Sequence, residues 1–251
     1  MTYCLAACVD DGLVFVSDSR TNAGIDQLST YSKMHAFGGN GERFFALLSA
    51  GNLGTTQAVV TQLRHDIRDN AATNLHNIAN MSDVADYVGQ ISQDQQEKHR
   101  SHNDGHQFSP EASFLLGGQL AGSPPRLFLV YPEGNYVHAT KQTPFLQIGE
   151  TKYGKPILDR VVTPATPLEA VARCGIVSMD STMRSNSSVG PPIEILQYST
   201  DTMRMGSYHC FSEDDEYLQS IRHEWEAKLR DAFETLDPLI PSQDQLRFVD
   251  G

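Results

Sequence analysis

The sequence of 251 residues predicts an α+β domain in which antiparallel sheets carry helices on their outer faces. The main observation is the order of the predicted elements: strands, two helices, strands, one or two helices, strands and a final helix. Such blocks are typical of antiparallel sheets, whereas a parallel sheet would show a regular strand–helix alternation. The composition agrees, because 39% hydrophobic and 20% charged residues are ordinary for a globular chain with a sizeable core. We expect a single domain over residues 1–251.

The first half of the chain is predicted to begin with strands and to continue with two helices. The turn Asp10-Asp11-Gly12 separates the first two strands, and the fourth strand ends at the segment Ala50-Gly51-Asn52-Leu53-Gly54. Apolar residues then recur at helical spacing, and Ser82 is the expected N-cap of the second helix. The predicted strands are residues 2–9, 13–16, 28–37 and 44–49, and the predicted helices are residues 55–70 and 82–98.

The second half returns to strands and closes with a long helix. Thr200 and Asp201 are predicted to form the turn of a late hairpin. The last helix carries an apolar stripe that includes Tyr217, Leu229 and Phe233, and such a stripe usually packs into a core or, in an oligomer, covers a neighbouring subunit. The predicted strands are residues 112–117, 126–131, 136–138, 145–148, 193–198 and 203–209, and the predicted helices are residues 155–160, 167–183 and 214–236.

Charge and hydropathy exclude several classes of partner. The chain has 31 acidic and 19 basic residues, a net charge of −12, and no run rich in Lys or Arg. Nucleic acid and membrane surfaces are therefore not expected as partners, because binding to their phosphates rests on basic patches. No apolar run reaches the ~18 residues that span a bilayer, and the first residues lack the features of a secretory signal. We expect the protein in the cytoplasm.

Disulfide and metal sites are not expected either. The four cysteines are too few and too scattered for a disulfide framework. Cys4 and Cys8 share one face of a strand, where a metal pair is conceivable but small buried residues are favoured. His99, His102 and His106 match no firm metal-binding spacing and are assigned to a solvated loop. The sequence predicts no metal and no cofactor.

The chemistry is expected at the start of the chain. The first predicted strand begins at Thr2, although fraying chain termini are usually kept out of sheets. If Met1 is removed, which the small side chain of Thr2 allows, Thr2 carries both a hydroxyl and a free α-amine. An α-amine titrates near pH ~7.7–8.0, so it can act as general base for that hydroxyl. The sequence therefore predicts a mature chain that begins at Thr2.

Four motifs occur in a particular order: Thr2, then Ser17-Asp18-Ser19-Arg20 at a strand end, then Lys33 after a loop, then Ala50-Gly51-Asn52-Leu53-Gly54 before a helix. Each is weak alone, since an Asp can end a strand, a Lys can be a solvated charge and a Gly can be a turn residue. Together they resemble the proteasome β-type N-terminal-nucleophile hydrolases, and most closely the bacterial branch called the ancestral β-subunit, or Anbu. The resemblance implies a four-layer αββα sandwich of two antiparallel sheets, with residues 211–251 as a C-terminal helical extension.

The resemblance also implies a role for each matched residue. Thr2 is the nucleophile and, through its amine, the base. Lys33 disfavours protonation of that amine by like-charge repulsion, and Asp18 pairs with Lys33. Gly51, just ahead of a helix, offers its backbone N–H to the developing oxyanion. Arg20 is expected to support the site.

The chain departs from the family pattern at two places. Many family members have a Ser within a Gly-Ser-Gly segment that contacts the terminal amine, and here Glu150 stands at that position. A negative charge facing the amine would favour its protonated form and oppose the effect of Lys33. At a second place Ser188 corresponds to a family Ser, while the preceding family Asp is replaced by Ser185 or Asn186.

We expect from these residues an N-terminal threonine hydrolase that cleaves peptide or amide bonds. Its substrate would be a peptide or an unfolded protein, and it would act inside a self-compartmentalising homo-oligomer, either a ring or a helical assembly. Two alternatives stay open: a small-molecule amidohydrolase with the same fold and nucleophile, and a catalytically weak assembly subunit. An ATPase partner is neither predicted nor excluded.

Overall fold

The computed structural model describes residues 1–22, 28–38, 41–101 and 109–239. Within them lie twelve strands and five helices, which confirms the predicted α+β class with antiparallel sheets. In chain order the strands are β1 (Tyr3–Val9), β2 (Gly12–Asp18), β3 (Arg20–Asn22), β4 (Leu28–Thr30), β5 (Met34–Gly38), β6 (Arg43–Gly51), β7 (Ala112–Leu120), β8 (Arg126–Val130), β9 (Tyr136–His138), β10 (Phe145–Gly149), β11 (Ile193–Ser199) and β12 (Ser207–Phe211). The helices are α1 (Leu53–Arg68), α2 (Met81–Ser101), α3 (Lys155–Val161), α4 (Leu168–Ser185) and α5 (Glu216–Glu234).

The described strands form two five-stranded antiparallel sheets and one short hairpin of β3 and β4. The strand order is β10-β1-β2-β11-β12 in the first sheet and β5-β6-β7-β8-β9 in the second. The first strand of the chain therefore lies inside a sheet, between β10 and β2. Because Cys4 is paired with Ser17, the start of β1 lies beside Asp18 at the end of β2.

Buried apolar side chains form three clusters. One joins α1 and α2 to the second sheet, and another joins α3 and α4 to the first sheet. The third cluster contains residues of both sheets, and there the rings of Phe44 and Tyr198 stack with their centroids 4.3 Å apart. A Cβ on Gly117 would lie 2.5 Å from the Phe15 ring, so glycine permits this close packing of the sheets. The two sheets thus share one cluster, and each contributes to a second one with helices.

The helix starts differ slightly from the prediction because of their capping residues. Helix α1 begins at Leu53, two residues early, because the Asn52 side chain accepts a hydrogen bond from the Thr55 N–H at 3.1 Å. The prediction of Ser82 as the N-cap of α2 is wrong. Asn80 has this role, since its Oδ1 accepts from the Asp83 N–H at 2.9 Å.

The last helix packs against the domain over its first half, where Arg222 and Glu226 form ion pairs with Asp180 and Arg184 of α4. Leu218 is buried, whereas Leu229 is 50% and Phe233 74% exposed. Of the two expected placements of the apolar stripe, the core therefore accounts for the first half only, and packing of the exposed second half against a neighbouring subunit stays a prediction. No helix among the described residues is both long and apolar enough to cross a membrane.

Candidate active site

Thr2 directly precedes β1 and is held in place by a backbone hydrogen bond at the end of β10. Its carbonyl oxygen accepts a hydrogen bond from the Glu150 N–H at 2.8 Å. A Cβ on Gly149 would lie only 1.9 Å from that oxygen, and the φ of +81° at Gly149 also favours glycine. Met1 precedes Thr2 and is 68% exposed. The Thr2 nitrogen is therefore part of a peptide bond in this structure, and it becomes an amine only when Met1 is removed.

A cavity of about 410 Å³ lies beside Thr2. Lys33 and Gly51 line the same cavity, so three of the expected site residues meet in one place. Asp18 is fully buried and contacts Lys33 from behind the cavity wall. The helix α1 supplies one side of the cavity from Leu53 onward. Further lining residues include Tyr31, Ser32, His35, Gln57, Val60 and Arg64.

The ammonium of Lys33 is held by two acceptors. Its Nζ donates to Asp18 Oδ1 at 2.6 Å and to the Arg20 carbonyl at 2.8 Å. Asp18 also accepts from the backbone N–H groups of Tyr3 at 3.1 Å and Gly190 at 3.3 Å. Burial raises the pKa of the Asp18 carboxyl, and the Lys33 ammonium and these N–H donors oppose the rise. Two of the three Lys33 N–H groups are used by these acceptors, and the cation stays at the cavity wall.

Gly51 contributes only backbone atoms to the cavity. Its φ is +110°, and a Cβ there would lie 2.3 Å from the Glu111 carbonyl oxygen of the neighbouring chain segment. Glycine is therefore required by the pairing of β6 with β7, whatever the chemistry at the cavity. The chain turns here into α1, whose N-cap is Asn52, so the positive end of the helix dipole lies next to Gly51.

The segment after α4 reaches the start of the chain through Asn186. Its Nδ2 donates to Glu150 Oε2 at 3.1 Å and lies 3.7 Å from the Met1 sulfur. The Ser188 N–H donates to Asn186 Oδ1 at 3.0 Å. Ser185, in contrast, is exposed at the end of α4. Of the two residues left open by the sequence, Asn186 is the one beside the N-terminal residues.

The Arg20 side chain also contacts the segment after α4. Its Nη1 donates to the Ser187 carbonyl at 2.9 Å, and its Nη2 lies 3.8 Å from the Glu213 carboxylate. A Cβ on Gly190 would lie 2.3 Å from the Arg20 guanidinium carbon. The Arg20 side chain thus packs against the chain around Gly190, and its carbonyl, not its side chain, contacts the site lysine.

Glu194 is a buried acidic residue that sequence reasoning missed. Its carboxylate accepts from the hydroxyls of Ser19 at 3.0 Å, Ser32 at 2.9 Å and Tyr208 at 2.6 Å. Burial and this carboxylate raise the pKa of the Tyr208 hydroxyl. Ser32 directly precedes Lys33, so Glu194 anchors the chain that carries the site lysine. The only local sequence signal is a Glu between Ile193 and Ile195 on the strand Ile193–Ser199.

His99, the one residue of the histidine cluster that the structure describes, does not line this cavity. His99 lies on α2, and its Nδ1 is 2.9 Å from Thr55 Oγ1 on α1. His102 and His106 lie outside the described residues.

Comparison with solved structures relates the whole chain to known proteins. The chain is 46% identical to the protein in a structure described as the helical assembly of the Anbu complex from Pseudomonas aeruginosa, with a TM-score of 0.91 and coverage of 96% of this chain and 99% of that one. It is 42% identical to Anbu (ancestral beta-subunit) from Yersinia bercovieri, with a TM-score of 0.90 and coverage of 96% and 100%. It is 41% identical to a Gly-1 mutant of Anbu from Hyphomicrobium sp. strain MC1, with a TM-score of 0.89 and the same coverage. No protein-family model and no curated protein matches the chain.

Proposed function

The chain belongs to the Anbu family of proteasome-like N-terminal-nucleophile hydrolases, and from this premise we propose that it is a threonine hydrolase of peptide or amide bonds. Thr2 is the nucleophile once Met1 has been removed. One observation carries the proposal: Thr2, Lys33 and the backbone of Gly51 line one cavity, with the Lys33 ammonium held by the buried Asp18.

In the proposed reaction, hydrolysis of the Met1–Thr2 bond first frees the α-amine of Thr2. This amine accepts the hydroxyl proton as Thr2 Oγ attacks the carbonyl carbon of the substrate. The C–N bond of the substrate breaks, the leaving amine takes the proton, and an ester joins the acyl part to Thr2. Water then hydrolyses the ester, which releases a carboxylic acid and restores the hydroxyl.

The surroundings of Thr2 support these steps electrostatically. A nearby Lys33 ammonium disfavours protonation of the amine, so that more of it can act as base at neutral pH. Gly51 provides the N–H for the developing oxyanion, and the dipole of α1 adds to that stabilisation. Glu150 opposes the effect of Lys33, and its hydrogen bond from Asn186 moderates its charge. We propose Arg20 and Ser188 as supporting residues and leave no role for the exposed Ser185.

The proposal extends to the fold and the assembly. The three apolar clusters support a single four-layer αββα domain, with residues 211–251 as a C-terminal extension. The family member from Pseudomonas aeruginosa is described as a helical assembly, and we propose a homo-oligomer for this chain too. The cysteines are unpaired, which is usual in the reducing cytoplasm where we place the protein.

The first test combines intact mass with covalent labelling. Mass spectrometry of the purified protein should show the loss of Met1. A peptide epoxyketone, which forms a ring with both the hydroxyl and the free amine of an N-terminal threonine, should then add once and at Thr2. The Thr2→Ala variant should lose Met1 and stay unlabelled. Active protein that retains Met1 would contradict the proposed mechanism.

Substrate turnover then decides between the remaining alternatives. Labelled protein that cleaves a fluorogenic peptide library supports a peptidase. Labelled protein that cleaves only small amides would be an amidohydrolase with the same nucleophile. Protein that has lost Met1 but is neither labelled nor active would be an assembly subunit, and the proposed activity would be wrong.

A further inference from the structure

The cavity beside Thr2 carries positive charge although the chain is acidic, with 31 acidic and 19 basic residues. Lys33, His35 and Arg64 line it, and no Asp or Glu is among the described residues that do so. The charge of Lys33 is offset by Asp18, at 2.6 Å. Arg64 has no ion-pair partner within the described part of the chain.

His35 does not add a second charge at neutral pH. Burial lowers the pKa of His35 to about 4, and the nearby Arg64 guanidinium contributes to that lowering. The imidazole is therefore neutral at pH 7. Among the described lining residues this leaves Arg64 as the cation that no carboxylate neutralises.

Arg64 lies on the face of α1 that forms the cavity wall. Leu53, Gln57, Val60 and Arg64 recur at helical spacing on this face, and all of them line the cavity. Arg64 comes eleven residues after Leu53, about 16 Å along the helix axis. Long side chains on a helix usually lean toward its N-terminus, which for Arg64 is the direction of the Gly51 end of the cavity. The other polar residue named on this wall, Gln57, carries no charge.

We infer that Arg64 makes the cavity selective for an acidic side chain on the substrate residue that enters it. A carboxylate matches the fork of N–H donors on a guanidinium, and no cavity carboxylate among the described residues competes for it. A basic side chain would instead meet a like charge in the partly enclosed cavity. The inference rests on the proposed function in one respect, namely that the residue on the acyl side of the scissile bond occupies this cavity.

The kinetic test uses fluorogenic peptides that differ only in that residue, which is Glu, Gln or Lys. We expect kcat/KM for Glu to exceed that for Gln by about ten- to a hundredfold, the range for a charge-assisted hydrogen bond. Arg64→Gln should remove this preference, and Arg64→Glu should shift it to Lys. Arg68→Gln is the matched control, because Arg68 is on the same helix and exposed like Arg64, but it does not line the cavity and is paired with Asp69 at 2.7 Å. A Glu preference that survives in Arg64→Gln overturns the inference.

A binding experiment separates this inference from the proposed reaction. Fluorescence anisotropy measures the affinity of labelled Glu and Gln peptides for the Thr2→Ala variant, with and without Arg64→Gln. Tighter binding of the Glu peptide that depends on Arg64 supports the inference even if the wild type shows no turnover, and then only the proposed reaction is wrong. Equal binding of both peptides, or binding of neither, overturns the inference even if the wild type cleaves peptides.

Discussion

Lys33 Nζ lies 2.6 Å from Asp18 Oδ1, and the two side chains are 7% and 0% exposed. Lys155 and Asp159 on α3 form an ion pair of the same length, but their side chains are 54% and 48% exposed. Although the two ion pairs have the same length, loss of one partner has a different effect in each. In the exposed pair water can replace the lost partner, whereas in the buried pair the loss of one partner leaves an uncompensated charge in the protein interior.

Asp18→Asn should therefore destabilise the protein by about 3–5 kcal/mol, because it leaves the buried Lys33 ammonium without a counter-charge. Asp159→Asn, the matched control, should cost at most about 1 kcal/mol. Urea unfolding of both variants at one protein concentration measures the difference. Equal destabilisation by the two substitutions would show that Lys33 is solvated in solution. If the proposed function is right, Asp18→Asn should also lose most of its turnover.

Glu194→Gln should weaken the anchoring of Lys33 without changing the shape of the core. The carboxylate accepts three hydroxyl hydrogen bonds, and an amide presents N–H donors to at least one of these groups. We expect a loss of about 1–3 kcal/mol in the free energy of unfolding, with Tyr208→Phe costing about 1 kcal/mol. Thermal and urea unfolding check this. An unchanged midpoint in Glu194→Gln would contradict the anchoring role that we assign to this carboxylate.

The main outline of the site follows from the sequence because its residues lie at strand ends with clear turn signals. Thr2 and Asp18 flank a hairpin, so their proximity follows from strand pairing, and Gly51 marks the turn from β6 into α1. Thr2 and Gly51 line one cavity, with Asp18 behind its wall, which agrees with the order of the motifs. Their catalytic roles stay predictions.

Contacts between distant segments could not be predicted in this way. Ser32 and Glu194 are 162 residues apart, and no periodicity links a loop serine to an acidic residue on β11. The choice of Asn186 over Ser185 depends on where α4 ends, which sequence patterns locate only within a few residues. Which part of the α5 stripe packs into the core could not be predicted for another reason. An amphipathic pattern shows that a face is apolar but not what covers it.

Lys33→Ala and Glu150→Ser should act in opposite directions on the amine of Thr2. Two like charges about 4 Å apart at an effective dielectric of ~20 repel by about 4 kcal/mol before relaxation, so loss of Lys33 should raise the pKa of the amine and nearly abolish turnover. Glu150→Ser should lower that pKa and raise the rate with simple peptides at neutral pH. Asn186→Ala, which removes a hydrogen bond to Glu150, should raise the pKa of the amine slightly.

The measurement is a pH–rate profile of each variant with one fluorogenic peptide. An unchanged profile in Glu150→Ser would show that Glu150 does not face the amine. An active Lys33→Ala would contradict the site as a whole.

The exposed end of α5 predicts an interface between copies of this chain. Leu229, Phe233 and Leu236 are 50%, 74% and 67% exposed, and apolar surface of this kind usually marks an interaction site. We expect a large homo-oligomer in sedimentation velocity at micromolar concentration. Leu229→Glu combined with Phe233→Glu should shift the distribution to smaller species, whereas Lys228→Gln on the exposed, charged side of the helix should not. A monomer across ordinary salt concentrations would contradict the assembly.

His35 should make the stability of the protein depend on pH in the mildly acidic range. Burial, followed by the Arg64 charge, lowers its pKa to about 4, while the Glu194 charge acts in the opposite direction. Between the usual pKa of ~6.5 and this value the unfolded chain binds a proton that the folded chain does not. The contribution of His35 is therefore fully present above pH ~6.5 and is lost as the pH falls toward 4, by up to about 3 kcal/mol.

His35→Asn should flatten this part of the stability curve, and the exposed His76→Asn should leave it unchanged. Arg64→Gln should raise the pKa of His35, which NMR titration of the imidazole can measure. A His35 that titrates near pH 6.5 in the wild type would contradict the burial argument.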